Sequence, residues 1–470
     1  MRIVFALFAA AVGCHKEPEV EPLTVDELRD PASCVECHPT HHEQWSGSMH
    51  AYASEDPVFR AMNAQGQRET DGALGDFCVK CHAPAAVALG LTTDGLNLDD
   101  VPEAQRGVTC WFCHQVDALG ADAHNNPLEV ADDDQFRGPI ADPVETPAHR
   151  SVYAPTHDRD DLQSSALCGS CHDIVTPLGG HIERTYAEWQ ASLFAKPVFG
   201  LTCAGCHLPG SDGLAAEADG VKLRRIHDHA MPGVDLALTE FPGRDAQQAL
   251  VQELLDDTVN AYLCVSTPAE TTLAVVTLEN VAAGHLFPSG AAADRRMWVE
   301  LVAYQGGTVI DQSGVIPLGE DVSAVTDDED PDLWRLWSTL IDPLGEPTHK
   351  FWEAQDLDVG ELLVVQTTLD PSDPAYVSTH RTRNYLVRGG VPDRITVAVH
   401  LEPIGREILD GLVDSGDLDP AVRDAMPRFT LGPTVLEWTP AVPVNAGSLA
   451  CVPKPPPATG GSTTSTGSTP

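Results

Sequence analysis

The most informative residues of this 470-residue chain are ten cysteines that occur in pairs, each pair followed by a histidine. Five copies of the pattern Cys-x-x-Cys-His lie between residues 34 and 207. Their members are Cys34, Cys37 and His38; Cys78, Cys81 and His82; Cys110, Cys113 and His114; Cys168, Cys171 and His172; and Cys203, Cys206 and His207. Every C-x-x-C pair carries this histidine. The chemistry they serve must therefore use two thiols and one imidazole together.

Covalent attachment of haem is the chemistry that needs this set. Two thiols about one helical turn apart can each add to one of the two vinyl groups on one edge of a haem. The histidine then supplies the proximal nitrogen to the iron. A zinc site would need paired ligand sets, with no reason for histidine after every second cysteine, and a thioredoxin-like pair would occur once. The sequence therefore predicts five covalently bound haem c groups.

The N-terminus has the layout of a secretory signal that ends at a cysteine. Residues 1–14, MRIVFALFAAAVGC, contain one arginine and an apolar run too short to span a bilayer. Small residues precede Cys14, as in the lipobox of a bacterial lipoprotein, although Ala11 stands where leucine or valine is usual. The sequence predicts export to the bacterial cell envelope, as a periplasmic or outer-membrane lipoprotein. Ordinary cleavage nearby is the alternative.

Two further cysteines, Cys264 and Cys451, stand alone in the second half of the chain. Unpaired thiols are uncommon in an exported protein, so we expect a disulfide between these two residues. Such a bond would close the C-terminal part of the chain and restrict its unfolded state.

The charge of the chain bears on its partners. With 70 acidic and 28 basic side chains, the formal net charge is −42. This field repels nucleic acid and anionic membrane surfaces and favours redox partner proteins with basic docking surfaces. The same acidity would also serve simply to keep an exported protein soluble. We expect membrane contact only through a lipid on Cys14.

The chain divides into a motif-rich part and a strand-rich part. Residues 15–30 are polar, acidic and proline-containing, which is typical of a tether. Residues 31–240 hold all five motifs but few strand patterns. Since such a segment lacks an aliphatic core, we expect a haem-rich, mostly α-helical and irregular domain in which porphyrins form much of the core. An amphipathic helix over 243–264 is predicted to connect the two parts.

Residues 265–453 read as an all-β domain. β-Branched runs at 271–279, 296–304, 361–369 and 394–403 are bounded by Gly, Pro and Asp. In the last run Ile395, Val397, Val399 and Leu401 share one face, and such alternation favours antiparallel sheets. We expect an immunoglobulin-like β-sandwich. Residues 454–470, rich in Pro, Gly, Ser and Thr, have no hydrophobic content and are predicted to be disordered.

Histidines outside the motifs are candidates for the second axial position of each iron. Histidine on both sides gives a six-coordinate electron-transfer haem, whereas an open position lets a substrate bind. A lone histidine is more often a surface residue, so each is weighed separately. The distal candidates are His50, His124, His149, His157 and His229, with His227 and His285 as weaker ones. His41 and His42 are expected to face solvent.

Several quoted segments resemble the multihaem cytochrome c family of the cytochrome c-554 type. They are CVECHPTHHEQWSGSMHAYASEDPVF, GDFCVKCHAP, GVTCWFCHQV, and SSALCGSCHDIVTP leading to ERTYAEW. The resemblance covers roughly residues 31–235. It implies a haem-dominated domain that stacks haems in pairs, and a distal role for the histidine of W-x-x-S-x-H, which is His50 here. The chain departs from four-haem members in its fifth motif and its added β-domain.

Three functions remain open from the sequence. The favoured one is an electron carrier that passes electrons between redox partners through closely packed bis-histidine haems, rather than a catalyst. The second is a multihaem oxidoreductase of nitrogen or sulfur oxyanions, which needs one open iron. The third is a surface interaction protein whose β-domain docks a redox partner. That domain would equally serve as a cap over haem edges.

Overall fold

The structure, a computed structural model, describes residues 22–267 and 271–454. The predicted signal with Cys14, the first half of the tether and all of the tail after Lys454 lie outside the described residues. Within the described ranges, none of the helices has the length and apolar character needed to cross a membrane.

Short helices dominate the N-terminal part, and most begin with a proline or a capping side chain. Asp56, for example, accepts a hydrogen bond from the Val58 N–H at the start of Pro57–Glu69. The helices are α1 (Val25–Leu28), α2 (Pro39–Ser46), α3 (Met49–Tyr52), α4 (Pro57–Glu69), α5 (Val79–His82), α6 (Pro84–Ala88), α7 (Cys110–Gln115), α8 (Ser164–Gly169), α9 (Thr185–Ala191) and α10 (Cys203–His207). The buried apolar clusters here are small; one joins Phe59, Val79 and Leu98.

Small two-stranded ladders connect these helices. The strands are β1 (Val116–Ala118), β2 (Glu129–Val130), β3 (Gln135–Gly138), β4 (Arg150–Tyr153), β5 (Ile174–Val175), β6 (His181–Glu183), β7 (Gly210–Leu214) and β8 (Leu223–His227). They pair in sequence order, and only β3 with β4 is parallel. Short 3-10 helices cover Pro31–Cys34, Leu98–Asp100, Glu103–Gln105 and Pro155–His157. The motif-rich part is thus mostly helical and irregular, as predicted.

The end of the predicted tether is folded, which corrects the expectation for 15–30. Helix α1 begins with a capping box in which Thr24 and Glu27 satisfy each other's backbone N–H groups. Arg29 then forms an ion pair with Asp132. These local bonds explain why an acidic, proline-containing segment takes up structure here.

The predicted connecting helix is half correct. Helix α11 spans Arg244–Asp256, and β9 (Val259–Ser266) follows it directly. Along β9 every second residue is buried, beginning with Val259, and the strand pairs with the next one in the chain. The apolar spacing of 243–264 therefore contains a helical period followed by a strand period, and the prediction was wrong after Asp256.

The C-terminal part is built on antiparallel sheets. Its remaining strands are β10 (Thr272–Asn280), β11 (Arg296–Gln305), β12 (Thr308–Ser313), β13 (Trp334–Arg335), β14 (Thr339–Ile341), β15 (Pro347–Thr348), β16 (Asp356–Asp358), β17 (His380–Val387), β18 (Arg394–Glu402), β19 (Phe429–Thr430), β20 (Leu436–Trp438) and β21 (Ala450–Cys451). One sheet has the order β17-β10-β9-β21 and a second has β12-β11-β18-β19, with β13 and β20 also attached to it. A third small sheet has the order β15-β14-β16.

One hydrophobic core joins the two larger sheets. Leu263 and Val276 from the first sheet and Val299 and Val399 from the second are all buried in it. The predicted strands at 271–279, 296–304 and 394–403 are present. The predicted disulfide also forms, between Cys264 and Cys451. The finer expectation of an immunoglobulin-like strand order stays a prediction.

The run 361–369 is not a strand, contrary to the prediction. Only Leu363 forms an isolated bridge, with Phe287. The Gln366 carbonyl instead accepts a hydrogen bond from the Leu193 N–H of the motif-rich part. Leu363 is buried in the core of the two larger sheets, whereas the backbone at Gln366 bonds to the motif-rich part, so the run does not extend a sheet.

Two helices inside the β-rich part had no counterpart in the prediction. They are α12 (Arg406–Asp414) and α13 (Pro420–Asp424), inserted between β18 and β19. Both contribute to a buried cluster with α4, in which Leu409 contacts Val58 and Ala61. Arg68 of α4 also forms an ion pair with Asp417. The two parts of the chain therefore share a hydrophobic interface.

The β-rich part carries a buried carboxyl group that should make stability depend on pH. Asp294 is 4% exposed, and one of its carboxyl oxygens has no hydrogen-bond partner among the described residues. Burial raises its pKa from 3.8 to about 7, against the opposing effect of Arg295 and Arg296. Since the folded pKa exceeds the unfolded one, the stabilising contribution is complete below about pH 3.8 and is lost as pH rises through 7.

We therefore expect the free energy of unfolding to gain roughly 2.5 kcal/mol from this group between pH 8 and pH 5. The variant Asp294→Asn should lose that part of the pH dependence, as measured by chemical denaturation at both pH values. Asp26→Asn is the matched control because Asp26 is 96% exposed. Equal pH dependence in wild type and Asp294→Asn would contradict the assignment.

Candidate haem-binding sites

Each of the five motifs forms one helical turn. In the first, second and fourth motifs the histidine N–H donates to the carbonyl of the first cysteine, as in His38 to Cys34 at 2.7 Å. The third and fifth motifs are the helices α7 and α10 themselves. Thr109 and Thr202 cap those two helices by accepting the N–H of the third residue after them. The turn brings both thiols and the imidazole to one side of the chain.

The proximal imidazoles are oriented by backbone carbonyls. The Nδ1 atoms of His38, His114 and His207 lie 2.7, 2.6 and 2.7 Å from the carbonyls of Ala215, Arg137 and Pro232. His82 Nδ1 lies 3.2 Å from the Ala53 carbonyl. Ligating histidines ordinarily donate their second N–H in this way, which leaves Nε2 free for the metal. Four of the five motif histidines are thus set up as iron ligands.

The titration behaviour of these histidines fits the same role. Desolvation lowers the pKa of all five, to about 4 for His82 and about 3 for His114. They are therefore neutral at physiological pH, which is the form that binds metal. One-turn motifs, anchored Nδ1 atoms and neutral rings together match what a covalently held haem requires.

The motifs approach one another through their thiols. The thiols of different motifs lie close enough to shift each other's pKa, in the pairs Cys34 and Cys110, Cys81 and Cys171, and Cys168 and Cys203. Cys113 of the third motif lies close enough to Cys168 and Cys171 to raise the pKa of both. The first motif is thus next to the third, the third next to the fourth, and the fourth next to both the second and the fifth.

Two distal candidates lie opposite a motif histidine at the spacing of a shared iron. A metal–imidazole bond is about 2 Å, so two imidazoles on one iron have ring centroids roughly 6 Å apart. His149 lies 6.2 Å from His38, and His50 lies 6.1 Å from His172. The ring of His41 is also 6.1 Å from that of His38. Because His41 follows His38 by about one turn of α2, however, the two rings lie on the same face of the helix and do not face each other across an iron.

Two candidates surround the third motif. His157 stacks on His114 at 5.4 Å, but its Nε2 bonds the Cys113 carbonyl and its Nδ1 lies 3.1 Å from the Thr156 hydroxyl. Both of its ring nitrogens are therefore engaged. His229 has only Nδ1 bonded, to the His227 carbonyl at 2.9 Å, and lies within electrostatic range of His114. The ring of His229 is thus oriented by the His227 carbonyl, and His229 stays a candidate ligand near both His114 and His38.

His285 lies where the two parts of the chain meet. Its Nδ1 is 2.7 Å from the Leu286 carbonyl, and nearby His207 and His172 contribute to lowering its pKa, which burial brings to about 4. The loop that carries it is held by Glu188, which accepts hydrogen bonds from Leu286 N–H and the Ser289 hydroxyl. The position of His285 near two motif histidines therefore supports a ligand role more strongly than its sequence context does.

The second motif lacks such a partner. Among the described residues, no imidazole faces His82 at that spacing, and Phe59 stacks on it at 4.1 Å. His124 has a buried Nδ1 without a partner and lies in a loop whose Asn126 donates to the Lys80 carbonyl of this motif. Its ring is 6.4 Å from His181, which belongs to no motif. His124 remains a candidate without an assigned iron.

The carbonyl groups that orient the proximal rings were not predicted. Ala215, Ala53, Arg137 and Pro232 act through their backbone, so no side chain signals them. The capping threonines could have been found, because Thr-Cys-x-x-Cys-His in the third and fifth motifs is a helix start.

Comparison with known proteins agrees with this geometry. Residues 33–115, which include the first three motifs, match the family described as "Cytochrome c554 and c-prime". The chain is also similar to a crystal structure of a penta-heme cytochrome c552 from Thermochromatium tepidum, with a TM-score of 0.60 and 21% identity over 88% of this chain and 99% of the other. No curated protein sequence matches the chain.

The resemblance to the c-554 type is therefore confirmed over residues 33–115. The fold likeness extends beyond that segment, because coverage of 88% includes much of the β-rich part.

Proposed function

We propose that the chain is an exported pentahaem c-type cytochrome that carries electrons between redox partners. The observation that carries the proposal is the proximity of the motif thiols. Each motif has a thiol close to a thiol of another motif, so none of the five is isolated. Haems attached at these positions would lie close together, as electron transfer requires. An export signal, a lipid on Cys14 and a basic redox partner belong to the same proposal and rest on the sequence.

The residues have distinct roles in this function. Bound haem supplies a one-electron Fe3+/Fe2+ couple. Each cysteine pair would hold one edge of a porphyrin, and each motif histidine would supply one nitrogen to the iron, with a backbone carbonyl orienting four of the five. His149, His50, His229 and His285 would supply a second nitrogen to the irons of the first, fourth, third and fifth motifs. The β-rich part then acts as a cap, since His285 lies on it.

Electron paramagnetic resonance of the fully oxidised protein, matured in a host that attaches c-type haems, tests the proposal. We expect low-spin ferric signals to account for at least four of five irons, because four motifs have a second histidine assigned. Mass spectrometry of the same sample should show five attached haems. Fewer haems, or mostly high-spin iron, would contradict the carrier function.

A second function is favoured by one observation, the lack of an imidazole facing His82. If His124 does not reach that iron, the second haem has an open position where a small molecule can bind. The chain would then be a multihaem oxidoreductase. One high-spin iron that binds carbon monoxide after reduction, and is lost in Cys78→Ala/Cys81→Ala, would support this function over the simple carrier.

A further inference from the structure

An arginine is held rigidly beside the fifth motif. Arg159 Nη2 donates to the Gly205 carbonyl at 3.0 Å, and the Arg159 carbonyl accepts from the Thr202 hydroxyl at 2.6 Å. Both partners belong to the start of α10 or its cap. The position of this guanidinium is therefore set by the backbone of the haem motif itself.

Most of the hydrogen-bonding capacity of Arg159 is unused. Its Nε and Nη1 atoms are buried and have no hydrogen-bond partner within residues 22–267 and 271–454. Its nearest carboxylate oxygen belongs to Asp160, 3.9 Å from Nε, and that side chain is 89% exposed. A buried charged donor without an acceptor is costly, so the arrangement calls for an anionic group.

The guanidinium of Arg225, on strand β8, lies near that of Arg159 above Gly210. A Cβ at Gly210 would clash with Arg225 Nε and lie 2.7 Å from Arg159 Nη1, so glycine leaves room for the two side chains to meet. Neighbouring Arg224 pairs with Asp142 at 2.8 Å. Arg225 forms no ion pair within the part of the chain that the structure describes, although Asp212 is its cross-strand neighbour.

We propose that Arg159 and Arg225 form an oxyanion-binding site over Gly210. Two guanidiniums with free donors match the paired oxygens of a carboxylate or a small inorganic oxyanion. The proposal rests on the proposed function, because one source of the group is a propionate of a bound haem. The other source is a free oxyanion from solvent, which can enter because Arg225 is exposed.

The site lies next to the fifth motif, so its charge balance sets the potential of that haem. At a separation of roughly 10 Å and an effective dielectric constant of about 20, one charge changes the Fe3+/Fe2+ equilibrium about tenfold. For a one-electron couple that is about 59 mV.

Spectroelectrochemical titration of the holoprotein, with sulfate as the probe at fixed ionic strength, tests the site. The variants are Arg159→Gln/Arg225→Gln, the charge-conserving Arg159→Lys, and Arg224→Gln as the matched control on the same strand. If a propionate is bound, sulfate has no effect on the wild type. The double variant, which removes two charges, then has one haem whose Fe3+/Fe2+ equilibrium shifts about a hundredfold towards Fe3+, and whose potential newly depends on pH between 5 and 8. Arg159→Lys, which keeps both charges, should largely retain the wild-type value.

If a free oxyanion is bound, sulfate lowers one potential in the wild type and has no effect on the double variant. The proposal is overturned if sulfate changes neither protein and the double variant shows no new pH dependence. Mass spectrometry separates this outcome from failure of the proposed function, which would appear as fewer than five attached haems. If fewer than five haems are attached, the melting temperature of the wild-type protein is measured with and without sulfate. An unchanged melting temperature would then overturn the proposed oxyanion site as well.

Discussion

Replacing His50 by alanine should convert one of the five haems from low-spin to high-spin. His50 is 6.1 Å from His172, whereas its own Nδ1 is 3.0 Å from Met231 Sδ, so its Nε2 remains for iron. Burial lowers the pKa of His50 to about 3, so the ring is neutral and competent to bind at physiological pH. Removing it should open one axial position at the fourth motif and nowhere else.

The measurement is electron paramagnetic resonance of oxidised His50→Ala, compared with His42→Ala as a control. His42 makes an edge contact with Trp45, at 5.7 Å between ring centroids, and has no assigned role at any motif. We expect a new high-spin signal equal to about one iron in five, which added imidazole should return to low-spin. An unchanged spectrum in His50→Ala would show that the fourth motif takes its second ligand from elsewhere.

Leu409→Ala should destabilise both parts of the chain at once. Leu409 is fully buried in the cluster that joins α12 to α4. Truncating a buried leucine costs about 3 kcal/mol, through lost transfer energy and the cavity left behind. Because α4 packs directly against α12, the loss should lower the stability of the haem environment as well as that of the sheets.

Denaturation followed by circular dichroism in the Soret band and in the far ultraviolet measures the two parts separately. We expect both transitions to move to lower denaturant concentration by the same amount in Leu409→Ala. Leu344→Ala is the control, since Leu344 is 85% exposed. A Soret transition that stays in place while the far-ultraviolet one moves would mean that the two parts unfold independently, as two-domain proteins can.

The local features of this protein could be predicted from its sequence. Two thiols and a histidine at fixed spacing define a haem motif, and alternation at Ile395 to Leu401 defines a buried strand face. The Cys264–Cys451 disulfide was predicted because these were the two cysteines left over from the haem motifs and the predicted signal. Each of these signals is carried by a few neighbouring residues, or by residue type alone.

What escaped prediction depends on contacts between distant residues. His50 lies near His172 of the fourth motif, and 122 positions of sequence separate the two residues. Helix α12 was missed although its apolar face is buried against residues of α4, which lies more than 300 residues earlier, and of α13. The strand at 259–266 was predicted to be helical. The helical spacing of apolar residues that ends at Asp256 is followed by the alternating spacing of the strand, and no Gly or Pro separates the two.

The spatial order of the five motifs differs from their order in the sequence, and this has a consequence for biogenesis. Under the proposed export and haem attachment, the motifs would emerge in the order in which they are encoded, yet the first motif lies next to the third, and the fourth next to the second and fifth. The attachment machinery would therefore meet a chain whose cofactors cannot yet lie beside their final neighbours. His285 would emerge later still, after all five motifs. A chain truncated before His285 would thus lack one proposed iron ligand even with all five haems attached.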